Sequence, residues 1–225
     1  MTRTSTGSPN DCSMTLSTAD APSDLHGIYA LVDTAVTASP LLYLHDLLDG
    51  GVRLVQLRSK AGVDRRLVRA MADACRPFAA RLIVNDDLEA ALDADGLHVG
   101  QEDLAKVHVG LLRRRLANRI LGVSCGVPAE AVVAEAAGAD YVGVGPYAAT
   151  ATKADAGAAI GAGGIEAVVR ATRLPVAAIG GICIADLPAV AATGAAMAAL
   201  VTALARAADP VAAARSAVAA WSAAR

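Results

Sequence analysis

Gly27-Ile-Tyr-Ala-Leu-Val-Asp33-Thr34 is the first strand-like run in the chain, and the way it ends decides the fold. An open, doubly wound sheet would place a glycine-rich turn directly after this strand, with an acidic residue some twenty positions on. Leu31-Val-Asp-Thr34 carries no glycine. Downstream, short aliphatic or β-branched runs recur at Val52–Arg58, Arg81–Asn85, Gly96–Gly100 and Ile120–Ser124. Three more follow at Tyr141–Gly145, Pro175–Gly180 and the weaker Ala196–Thr202. Helix-period stretches separate them, such as Asp64–Ala80 with Asp64 as N-cap and Pro128–Ala137 with proline in the first turn. Strand and helix in alternation mean parallel βαβ units. Eight such units within about 200 residues predict an α/β chain closed into a (β/α)8 TIM barrel.

Composition narrows what such a barrel does. The 225 residues are 55% hydrophobic with a formal net charge of −2, enough for a substantial core but no broad cationic surface. Any phosphate must therefore meet a local site. At 3% aromatic residues, a base-stacking platform for nucleic acid is not expected. The cysteines at 12, 75, 125 and 183 form no CxxC pair and read as free thiols in a reducing, cytoplasmic setting. Residues 1–24, rich in Ser and Thr without an apolar run, read as a disordered tail rather than a signal peptide or anchor. Residues 25–225 then form one catalytic domain with no membrane span, and a homo-oligomer is left open.

Chemistry in a parallel barrel gathers where the strands end, and this chain puts its unusual polar residues there. Gln56, Arg58 and Lys60 alternate at the end of the second run, so they share a side. A planar guanidinium fork beside a point-charge ammonium suits two linked phosphates, although a solvated strand end with an ion pair reads equally well. Asn85-Asp86 and Asp103 bring carboxylates to adjacent strand ends. With no Cys cluster and few histidines nearby, these hard oxygens favour Mg²⁺ over zinc. Asp87 and Glu102 read better as helix caps. Thr150-Ala151-Thr152-Lys153 lies in a glycine-bearing loop able to clamp a phosphate, and Gly180-Gly181 with Val201-Thr202 follow the seventh and eighth runs, where barrels commonly hold one. For the glycine pair, close approach to an anion is expected to count for more than a tight turn. His98 reads as a buried structural residue. No histidine is placed to activate Ser124 or Cys125, so neither is expected as a nucleophile.

These blocks resemble the thiamine phosphate synthase family. The matching stretches are VQLRSK, LIVNDDLEAAL with ADGLHVGQEDL, LGVS, EAAGADYVGVGP with TATK, and LPVAAIGGI, which together span most of residues 27–210. The paired ND and QED blocks followed by TATK are the specific part. GADYVGVGP and AIGGI also occur in other phosphate-binding barrels. The resemblance implies a transferase of thiamine biosynthesis that joins hydroxymethylpyrimidine diphosphate to a thiazole phosphate, carboxylated or not, releasing diphosphate. It implies that Gln56, Arg58, Lys60 and Asn85 hold the pyrimidine diphosphate, with Ser124 and Lys153 also on that substrate. Asp86 and Asp103 would hold Mg²⁺. Thr150, Ala151, Thr152, Gly181, Val201 and Thr202 would meet the thiazole phosphate, and Arg58, Lys60, Ser124 and Lys153 would carry the catalysis.

Some positions depart from the family pattern. Ala149 stands where proline is usual, Asp186 where asparagine is usual, and Cys125-Gly126 where Thr-His is usual. None removes an implied metal or phosphate ligand. A sister group of barrels that isomerises the thiazole typically lacks the ND and QED carboxylates and relies on a histidine soon after the fifth strand. Ser124-Cys125-Gly126 has none. Retained carboxylates and lysines also argue against a barrel retired to ligand sensing.

Overall fold

The computed structural model describes residues 25–100, 109–150 and 157–225. Eight parallel strands close into a barrel in chain order, with the eighth hydrogen-bonded back to the first. They are β1 (Gly27–Asp33), β2 (Leu54–Arg58), β3 (Arg81–Asn85), β4 (Gly96–Val99), β5 (Ile120–Cys125), β6 (Tyr141–Val144), β7 (Val176–Ile179) and β8 (Met197–Leu200). Around them lie α1 (Pro40–Asp49), α2 (Arg65–Cys75), α3 (Leu88–Ala91), α4 (Val109–Leu116) and α5 (Pro128–Ala136). The outer layer continues with α6 (Gly161–Ala171), α7 (Leu187–Ala192), α8 (Thr202–Ala205) and α9 (Pro210–Ala223). Each predicted strand is present. The expected tail over residues 1–24 lies outside the described residues. No helix among the described residues is long and apolar enough to cross a membrane.

Two apolar layers follow from the two-residue period of the strands. Ile28, Ala30 and Val32 of β1 face the helices and join the large outer core with Leu44, Leu47 and Leu48 of α1. Tyr29 and Leu31 face the other way and meet Leu54, Ile83, Ile120, Tyr141 and Met197 inside the barrel. Burial on both faces is why these strands read as continuous apolar runs.

Local chemistry sets the element ends. The Asp64 carboxylate accepts the Arg66 amide at 2.8 Å and starts α2, as its sequence position predicts. The expected helix to Ala80 stops early, at Cys75. Pro77 lacks an N–H to continue the α-helical ladder, so Arg76–Phe78 tightens into a 3-10 turn and Ala79 takes a left-handed φ of 51°. The second strand begins at Leu54 rather than Val52, because the Val52 amide closes the turn after α1 on the Leu47 carbonyl. The eighth run is cut short because Thr202 opens α8.

Glu135 of α5 ties that helix to the connection after α6. Its carboxylate accepts the Thr172 hydroxyl at 2.6 Å, the Arg173 amide at 3.0 Å and the Arg173 guanidinium at 2.7 Å. These bonds, the Thr172 hydroxyl first among them, pull the carboxyl from an ordinary value of 4.5 to about 2. A depressed folded pKa stabilises the fold above the unfolded value and ceases to do so as pH falls through the folded one. The melting-temperature gap between wild type and Glu135→Gln is therefore expected to be largest above about pH 5 and to close towards pH 2, as thermal scans across that range would read.

Candidate active site

The C-terminal ends of the strands form the mouth of the barrel. Arg58 ends β2 directly opposite Asp33 at the end of β1. The Arg58 guanidinium donates to Asp33 Oδ2, while Asp33 Oδ1 accepts the Ala35 amide at 2.9 Å. Asp33 is only 2% exposed, so its carboxylate holds the arginine from a buried position. One of the guanidinium's five donors serves it, which leaves the fork capable of meeting an anion. The ion-pair reading of this strand end is thus correct, and it is compatible with the binding one. Lys60 stands exposed in the turn beyond β2.

Gln56, two residues inward from Arg58, is buried and donates its amide to the Tyr29 hydroxyl at 2.7 Å. Tyr29 and Tyr141 share a hydrogen bond of 2.7 Å across the barrel, and their rings meet edge-on with centroids 5.8 Å apart. His98 Nδ1 lies 2.9 Å from the Tyr141 hydroxyl, and His98 Nε2 lies 3.0 Å from Ser124 Oγ. The expectation that no histidine is placed to activate Ser124 is corrected to this extent: His98 lies within hydrogen-bonding distance of it. β4 and β5 are neighbours, and their register sets His98 beside Gly122, two residues before Ser124. The expectation that His98 is buried and hydrogen-bonded is correct. Cys125 faces the helices, and burial, aided by Glu130, pushes its thiol up to about 12, so it is no nucleophile at neutral pH.

Two strand glycines make room for the interior rings. A Cβ on Gly122 would lie 2.1 Å from Tyr141 Cζ, and one on Gly143 would lie 3.1 Å from His98 Cε1.

Asn85 ends β3 beside His98. Asp86 follows in a left-handed conformation, φ 62°, with its amide on the His98 carbonyl at 2.9 Å. Non-glycine residues take this conformation rarely, aspartate more readily than most. Its side chain is exposed at the rim. Asp87 caps α3 through the Ala90 amide at 2.9 Å, the role expected of it. Among the described residues no group of three His, Cys, Asp or Glu side chains could hold a metal. Asp103, the second implied ligand, lies outside the described residues, as do Ala151, Thr152 and Lys153.

Thr150 is half-buried in the connection after β6. Gly180 and Gly181 both take positive φ, at 94° and 69°. A Cβ on Gly181 would sit 2.6 Å from the Ala148 carbonyl oxygen, and one on Gly180 would sit 2.6 Å from Pro146 Cβ. The tight turn and this packing explain both glycines without an anion, which corrects the expectation that approach to an anion counts for more than the turn. Val201 and Thr202 open α8 after β8, next to β1 in the ring.

Sequence reasoning missed Asp33, Tyr29 and Tyr141. A signal was available for the tyrosines: two of only four in the chain fall within strand runs, and Gly122 on the run preceding Tyr141 leaves space where its ring lies.

A closed parallel barrel with an arginine, amides, a serine and a carboxylate at its C-terminal mouth is a (β/α)8 enzyme scaffold arranged for an anionic substrate. Comparison with known proteins gives the family. The thiamine monophosphate synthase family profile matches residues 28–204. A thiamine-phosphate synthase from Methanospirillum hungatei is 40% identical over 196 residues, covering 84% of this chain and 94% of its own. One from Chloroflexus aurantiacus is 44% identical over 171 residues, 74% of this chain and 78% of its own. The structure of thiamine phosphate pyrophosphorylase from Pyrococcus furiosus superposes with a TM-score of 0.80 at 28% identity, over 89% of this chain and 97% of that one. The chain belongs to the thiamine monophosphate synthase family, and the relatives named above are thiamine-phosphate synthases, a class of transferase.

Proposed function

We propose that this chain is a cytoplasmic synthase that joins hydroxymethylpyrimidine diphosphate to a thiazole phosphate, forming thiamine phosphate and releasing diphosphate. The observation that carries the reading is the Arg58 guanidinium, braced by a buried carboxylate at the mouth, with Gln56 just below it and Ser124 on the same interior hydrogen-bonded line. An arginine fixed in this way is prepaid in orientation, so it can stabilise charge that develops on a leaving group.

In this reading the bond between the pyrimidine methylene and the diphosphate oxygen breaks, and its electron pair leaves with the diphosphate. The aminopyrimidine ring delocalises the resulting cation. The thiazole nitrogen then gives its lone pair to the methylene, and no general base is required. Arg58, Lys60 and Lys153 neutralise the departing diphosphate, with Gln56, Asn85 and Ser124 orienting that substrate. Thr150, Ala151, Thr152, Gly181, Val201 and Thr202 hold the thiazole phosphate.

The donor set fits a hard divalent cation. Asp86 and Asp103 would hold Mg²⁺, which usually takes one or two carboxylates and completes its shell with water and phosphate oxygens. The exposed rim position of Asp86 leaves such a shell room. When bound, Mg²⁺ would supply charge neutralisation to the leaving diphosphate.

Product analysis tests the reading. Thiamine phosphate is expected only when both substrates are present, with thiazole phosphate unchanged when supplied alone. Isomerised thiazole phosphate formed without any pyrimidine would instead make the chain an isomerase.

A further inference from the structure

The interior polar line runs through five strands: Gln56 on β2, Tyr29 on β1, Tyr141 on β6, His98 on β4 and Ser124 on β5. Its links are 2.7, 2.7, 2.9 and 3.0 Å, all within hydrogen-bonding range. Such a line can be polarised in only one direction at a time, because each hydroxyl has a single proton to give. Burial pushes both phenols well above their ordinary value, so each keeps its proton.

The Gln56 end sets the direction. Its amide nitrogen can only donate, so the Tyr29 oxygen accepts and the Tyr29 proton goes to Tyr141. Tyr141 in turn donates to His98 Nδ1, which makes that nitrogen an acceptor and leaves the imidazole proton on Nε2. Nε2–H then donates to Ser124 Oγ. The serine proton must point elsewhere. We propose that His98 is a positioning residue, held in its Nε2–H tautomer by Gln56, Tyr29 and Tyr141, and that it turns Ser124 into a dedicated hydrogen-bond donor to the leaving diphosphate.

The packing agrees with this assignment. Gly122 and Gly143 vacate the strand positions that the Tyr141 and His98 rings occupy. A polarised line in a buried interior also strengthens the last donor in it. An oxygen bearing developing negative charge is the partner such a donor serves. This use of Ser124 rests on the synthase reading, whereas the direction of the line does not.

The first test reads the tautomer without activity. Long-range proton–nitrogen correlation spectra of histidine-labelled full-length protein resolve its four histidines, with His98→Gln assigning the signal. An Nε2–H pattern at His98 is expected, relaxing towards a mixture in Tyr141→Phe. An Nδ1–H pattern in wild type would reverse the line and overturn the proposal.

The second test is kinetic. Gln places an amide near the Nε2 position, so His98→Gln is expected to keep kcat within about tenfold, whereas His98→Asn loses about a hundredfold, with KM for thiazole phosphate unchanged in both. Equal losses in the two variants at equal melting temperature would reduce His98 to a structural residue. Wild-type protein with the Nε2–H pattern but no synthase activity would support the line and overturn the function on which its use depends.

Discussion

Arg58→Ala is expected to lower kcat for diphosphate release by about two to three orders of magnitude, the loss typical of a deleted oxyanion-type donor, roughly 3–4 kcal/mol. The same substitution is expected to weaken the fold. Asp33 is 2% exposed, and without its guanidinium it becomes a buried carboxylate with one backbone amide for company. Stranding a charge in this way costs about 3 kcal/mol. Arg58→Lys separates the two effects. A lysine restores a cation for Asp33 and most of the stability, but it has no planar fork to engage carboxylate and phosphate together. Stability is therefore expected to recover further than turnover. Steady-state kinetics and thermal unfolding on the three proteins check this. Arg58→Ala with wild-type kcat would remove Arg58 from the site.

The second large effect lies deeper. Gly122→Ala is expected to destabilise the barrel by about 3 kcal/mol, at the upper end for overpacking. The added Cβ would sit 2.1 Å from Tyr141 Cζ and 2.4 Å from its hydroxyl oxygen, so either the ring or β5 must move. For a chain of this size that corresponds to a melting temperature lower by roughly 6–12 °C. Ring displacement also breaks the Tyr141 bonds to Tyr29 and His98, so activity should fall with stability. Adding Tyr141→Leu removes the clash, and the pair of substitutions should then cost less stability than the sum of the singles. A Gly122→Ala protein that melts like wild type would show that Tyr141 does not lie over β5.

Both effects concern contacts that a linear reading handles poorly, and the reason is physical. Strands were legible because burial on both faces writes each one as a short aliphatic run, and the β1 ending without glycine excluded the open sheet. Asp64 and Pro128 announced their helices through end chemistry acting over a few residues. The strand-end positions of Gln56, Arg58 and Ser124 were legible because each aliphatic run leads directly into them. Partners across the barrel were not. Tyr29 and Tyr141 meet over a separation of 112 residues, and His98 reaches Ser124 over 26. Neither pairing follows from periodicity, only from closure and register. Asp33 was read as a strand end lacking glycine, and its role emerged only when β1 and β2 set it opposite Arg58. At Gly180-Gly181 only the weighing failed: their local geometry is so demanding that packing against the β6 connection already explains the glycines, whatever Gly181 binds.

Diphosphate release is to be measured from the purified 225-residue protein, supplied with pyrimidine diphosphate, thiazole phosphate or both, in Mg²⁺ or in EDTA. The synthase reading predicts release only with both substrates and Mg²⁺, with one thiamine phosphate formed per diphosphate. Folded protein that binds thiazole phosphate yet releases no diphosphate under any of these conditions would contradict it.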